Sequence, residues 1–167
     1  MNRLPVIIML LVLSAFPVRT AEAGKMFEQG RTHFSLMIGN GYALDNNYFV
    51  IGASASYYVL DGLGVGLSFE KWSGGGRGIT NYAPFAQYVF FQGSPVRPYV
   101  GGFYRHTAIE GLPGINSVGE RAGITIASGS NAYVSAGLVH EAYLVCQTTV
   151  YRSCSSTYSE VSVTFGF

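Results

Sequence analysis

Apolar side chains recur at every second position in eight stretches of about ten residues, with turn residues between them. The stretches are His33–Tyr42, Tyr48–Val59, Gly64–Trp72, Ile79–Phe91, Arg97–Thr107, Gly119–Ser128, Ala132–Val145 and Ser156–Phe167. Period two is the side-chain period of a β-strand, whose successive residues point to opposite faces. No segment after the amino-terminal run has a helical period. Asp61-Gly62, Gln92-Gly93-Ser94-Pro95 and Gly129-Ser130-Asn131 mark tight reversals, so neighbouring strands pair as hairpins. The pattern predicts an all-β chain, either an up-and-down antiparallel barrel or a sandwich. Strands of about 9–11 residues also have the length to cross a membrane at a tilt. Connections after the second, fourth and sixth stretches read as short turns. Those after the third, fifth and seventh read as longer loops, although the first connection, Leu44-Asp45-Asn46-Asn47, is short too. Short turns at one rim and longer loops at the other suit a membrane barrel.

Sorting by parity decides which way each face points. One set holds Phe34, Leu36, Ile38, Phe49, Ile51, Val65, Leu67, Phe69, Ile124, Leu138, Val161, Val163 and Phe165, and no charge. The other set is small and polar: Gly52, Ser54, Ser56, Ser68, Ser135, Ser162 and Thr164, with a few long side chains among them. In a soluble barrel the apolar set would face in, and the second set would have to make a water-facing surface. It is too small and too poor in lysine for that. Charged residues are 11% of the chain and aromatics 14%, against roughly 25% charged in ordinary globular proteins. With lipid outside, the apolar set faces the bilayer and every backbone group pairs within the closed sheet. The narrow interior then takes the small residues and six long polar ones: Glu70, Gln87, Arg105, Arg121, Glu141 and Glu160. These are expected to form one internal network, with three Glu against two Arg. Tyr42, Tyr57, Tyr82, Tyr88, Phe91, Tyr143 and Phe167 fall near strand ends, where aromatic girdles belong. The expected fold is an eight-stranded antiparallel up-and-down transmembrane β-barrel.

The two ends of the sequence add an address. The uncharged run Leu4–Phe16 follows Arg3, and Ala21-Glu22-Ala23 has the small-x-small form of a signal peptidase site. Residues 1–23 therefore read as a cleaved signal peptide and 24–167 as the barrel domain. Two cysteines, Cys146 and Cys154, lie late in the chain, and in an exported protein they are expected to form one loop disulfide. A net charge of +1 gives no electrostatic case for nucleic acid.

With the signal sequence, the stretches ITNYAPFAQYVFFQGSPVRPYVGGFYRHT and GERAGITIASGSNAYVSAGLVHE, and the closing EVSVTFGF, the chain resembles a family. It is similar to the small outer-membrane β-barrel proteins of Gram-negative bacteria, the OmpA/OmpX-like eight-stranded group. The resemblance covers the whole chain after the signal. It implies export through the periplasm to the outer membrane and contact with membrane lipid and lipopolysaccharide. It also implies that Val161, Val163, Phe165 and Phe167 are the strand signal read by the barrel assembly machinery. These motifs specify architecture far better than activity. No cofactor or metal is expected: His33, His106 and His140 lack metal-ligand spacing, and Gly74–Arg77 lacks the Lys-Ser/Thr of a phosphate loop. Lipid A deacylases are also eight-stranded barrels, with a His-x-Ser on the seventh strand. Here His140 is followed two positions on by Ala142, which cannot attack an ester, and Ser135 points inward. The expectation is a monomeric barrel without catalysis, in a structural role or a surface-interaction role. Loops Ile109–Val118 and Cys146–Cys154 are the candidates to meet an unknown surface partner. A narrow passive channel is the alternative, ahead of a lipid A-modifying enzyme or a soluble ligand-binding barrel.

Overall fold

The structure is a computed structural model that describes residues 26–43, 46–74, 76–90, 94–128, 131–145 and 154–167. Eight strands follow one another: β1 (Thr32–Ala43), β2 (Asn46–Leu60), β3 (Leu63–Ser73), β4 (Ile79–Val89), β5 (Val96–Ile109), β6 (Ile115–Ala127), β7 (Ala132–Tyr143) and β8 (Ser155–Gly166). Each pairs antiparallel with the next, and β8 returns to β1 to close the barrel. The signal peptide, Leu44-Asp45, Phe91, Gln92-Gly93, Gly129-Ser130 and Cys146 lie outside the described residues.

The parity set the sequence assigned to lipid is the outer wall. Ile38, Leu67 and Leu138 are each more than 60% exposed, and Phe34, Phe49, Ile51, Phe69, Ile124 and Phe165 are exposed beside them. An apolar wall of this extent has no stable place in water. Ser54, Ser68, Glu70, Arg105, Arg121, Ser135, Glu141 and Thr164 from the other set are buried inside. Alternation fixes register here, because a slip of one residue would turn every buried charge out into lipid.

Two expectations need correction. The loop expected at Ile109–Val118 shrinks to 110–114, because Ile109 ends β5 and Ile115 already opens β6. At this rim the pattern changes sign. Ile115 turns inward to pack with Tyr48, Ile79, Ile109 and Trp72, while Asn116 turns outward to meet His106 Nδ1 at 2.8 Å. Membrane parity no longer holds above the lipid, so the sequence pattern lost the strand. The second correction concerns the two rims. The connections 74–78 and 110–114 are no longer than 90–95 at the opposite rim, and only 144–154 is long.

The seam between β1 and β8 differs from the other ladders. Among the described residues its paired register runs from His33↔Gly166 to Met37↔Ser162. The backbones of Thr32 and Phe167 extend it at the short-turn rim, with Phe167 N–H to Thr32 C=O at 2.9 Å.

Candidate functional site: the barrel interior

The interior polar residues gather because strands far apart in sequence face one another across a narrow barrel. Arg105 on β5 donates to Glu70 on β3 at 3.0 Å and to Glu141 on β7 at 2.6 Å. Both carboxylates have further donors. Asn81 and Trp72 each reach Glu70 Oε2 at 3.1 Å. Glu141 accepts from the Tyr158 hydroxyl at 3.2 Å and from the Ser117 hydroxyl. Tyr158 also takes a bond from Arg105 at 2.8 Å. A buried charge persists only when paired and hydrogen-bonded, and this cluster meets that condition. It lies beneath the apolar cap of Tyr48, Ile79, Ile109 and Ile115.

The predicted single network is two. Arg121 pairs with Glu160 at 3.3 Å, nearer the short-turn end. The ring of Phe103 stands between the pairs, 4.7 Å from the Arg105 guanidinium and 5.0 Å from that of Arg121. Phe103 and Arg105 share a face of β5 at two-residue spacing, so an aromatic layer necessarily divides the charges. Gly119 makes room for it, since a Cβ there would collide with the ring. Gln87 lines the lower space beside Arg121. Below the Phe103 layer is a chamber walled by Ser35, Ser54, Ser56, Ser135, Ser162 and Thr164.

The short-turn mouth holds residues the sequence reading missed. Phe27 is fully buried, against the rings of His33, Tyr58 and Tyr133 at 5.1–5.5 Å. Arg97 is also fully buried, its guanidinium 5.0 Å from the Phe27 ring. His33 Nε2 donates to the Met26 carbonyl at 2.7 Å. A carbonyl can only accept, so Nε2 carries the hydrogen, and Nδ1 of the neutral ring accepts from Tyr133 at 3.0 Å. Among the described residues Arg97 raises the interior arginines to three, matching the three Glu. Parity alone could have found Arg97, which shares a face with Arg105, and Tyr158, which shares one with Glu160. Phe27 precedes every strand, and no periodic signal marks it.

The remaining predicted positions are on the outside. Val161 and Val163 are half-buried on the outer face, and Phe165 and Phe167 are exposed. Cys154 is exposed immediately before β8, and its expected partner Cys146 is outside the described residues. His140 is exposed, and its Nδ1 lies 2.8 Å from Thr157 Oγ1. Among the described residues no three His, Cys, Asp or Glu side chains converge as a metal site.

No protein-family model matches the sequence, and neither does any curated protein. Solved structures do match in fold. The amino-terminal β-barrel domain of OprF from Pseudomonas aeruginosa aligns with a TM-score of 0.65 at 19% identity, over 83% of this chain and 98% of that one. The Neisserial surface protein NspA aligns at 0.56 and 18%, over 82% and 96%. Ail, the attachment invasion locus protein of Yersinia pestis, aligns at 0.52 and 17%, over 83% and 99%. The fold is that of the OmpA-like eight-stranded outer-membrane barrels. The apolar outer wall and polar interior suit a barrel with lipid outside it.

Proposed function

We propose that this protein is an integral outer-membrane barrel with no catalytic role, serving the envelope as a structural element and meeting partners through its loop rim. The observation that carries this reading is the filled interior. The apolar cap, the Glu70–Arg105–Glu141 cluster and the Phe103 layer occupy successive levels of the barrel. A filled eight-stranded barrel leaves the rim as the part free to act on other molecules. The long connection 144–154, expected to be tied by Cys146 and Cys154, is the foremost candidate surface. The names of two fold neighbours, a surface protein and an attachment invasion locus protein, are in keeping with a role at the cell surface. Lipopolysaccharide and membrane lipid surround the wall, residues 1–23 are removed on export, and the barrel assembly machinery reads Val161, Val163, Phe165 and Phe167 during insertion. The barrel acts as a monomer.

Gel mobility of the outer-membrane fraction tests the reading. The natural protein should migrate differently unboiled and boiled, and reductant should change the mobility of the boiled form. In a planar bilayer it should hold no steady conductance. A steady open channel would replace this reading with the narrow-channel one.

A further inference from the structure

The mouth at the short-turn rim is closed by a piece of chain that belongs to no strand. Met26 and Phe27 are buried under the rim, although Glu28, Gln29 and Gly30 immediately after them are exposed. Their backbone is strapped to the β2–β3 turn. Gly62 N–H donates to the Phe27 carbonyl at 2.8 Å, and Gln29 N–H to the Asp61 carboxylate at 2.8 Å. Gly30 N–H donates to the Tyr58 carbonyl at 2.9 Å. Gly62 has φ +80°, a conformation that suits glycine and turns its N–H toward the strap. Besides these bonds and the one from His33 to the Met26 carbonyl, the segment is held by ring contacts to Phe27. None of these lies within the paired register of two strands, so the segment can leave without unpairing any strand.

What lies behind it gives the closure a purpose. The chamber between this segment and the Phe103 layer is walled by serine and threonine hydroxyls, Gln87 and the Arg121–Glu160 pair, with Met37, Phe85 and three tyrosines completing it. Ser35 bonds Thr164 at 2.7 Å and Ser135 bonds Thr125 at 2.8 Å, and one shared bond leaves each hydroxyl further capacity that water can take up. An apolar filling would have served a purely structural core better.

We propose that Met26–Gly30 is a seated stopper over a water-filled chamber, and that the chamber admits small hydrophilic solutes from the short-turn side when the stopper lifts. Phe27 is the seal, and the Asp61–Gln29 bond is the exposed part of its latch.

The test places a thiol in the chamber with Ser54→Cys and follows its modification by 2-aminoethyl methanethiosulfonate in detergent, by mass. The protein without the added cysteine is the blank. With the stopper intact the thiol should react slowly. Adding Phe27→Ala should speed the reaction tenfold or more, and adding Asp61→Ala should speed it several-fold. Asp61 is exposed, so that variant keeps the barrel if Phe27→Ala does not assemble. Equal rates in the folded variants and the parent would overturn the proposal. So would rapid reaction of Ser54→Cys with the stopper intact.

Discussion

The two halves of the barrel interior are closed by different physics. Toward the loop rim, Arg105, Glu70, Glu141 and Tyr158 tie β3, β5, β7 and β8 together by charge-assisted bonds across the lumen. Toward the short turns, one aromatic side chain outside the sheet fills the mouth, against His33, Tyr58, Tyr133 and Arg97. The first arrangement braces the wall, because its removal leaves charges stranded on several strands at once. The second only occupies space, because its removal leaves the ladders whole. A closure built into the wall is costly to open, and one hung on a strap is cheap to open.

Urea unfolding of the reconstituted protein measures the contrast. Arg105→Ala should have the largest effect, about 3–5 kcal/mol, because two buried carboxylates lose their shared cation. Adding Glu70→Gln and Glu141→Gln should recover much of that loss, and no recovery would mean that packing, not charge, sets the cost. Arg121→Ala should cost less, about 1–3 kcal/mol, since one longer bond to the less buried Glu160 is lost. Phe27→Ala should lower global stability by about 1 kcal/mol or less, as expected for a locally opening unit, although a phenyl ring in a rigid core would cost several times more. A loss as large as that of Arg105→Ala would erase the distinction between brace and stopper. The smallest effect belongs to Asp61→Ala, about 0.5 kcal/mol for one exposed bond to Gln29.

The brace was largely legible in the sequence and the stopper was not, for reasons that lie in periodicity. Glu70, Arg105, Arg121, Glu141 and Glu160 sit on strands whose outward partners are apolar, so parity alone sends them inside. Parity also carried Ser54, Ser135 and Thr164 to the interior. It could not show that Phe103 would split the charges, since that depends on the cross-strand neighbour Gly119. It failed at Ile115 and Asn116, where an inward apolar and an outward polar residue reverse the membrane rule. It had no purchase on Met26 and Phe27, because a segment with no repeating geometry leaves no repeating pattern.

The β1–β8 seam has a mechanical consequence. Its pairing holds from His33 to Met37 against Ser162 to Gly166, the half of β8 that contains Val163 and Phe165. Above that, among the described residues, β1 keeps its register with β2 as far as Ala43, and β8 keeps its register with β7 as far as Ser155, but the two do not pair with each other. A cylinder slit from one rim has a fixed circumference at the uncut end and an adjustable one at the cut end. The loop rim can therefore spread or narrow without breaking a ladder bond, while the short-turn rim stays a rigid ring. Amide exchange makes this visible: the amides of Ser155–Val161 that point away from β7 should exchange fast, and those at the sealed half slowly. Uniform protection along β8 would show an uncut tube.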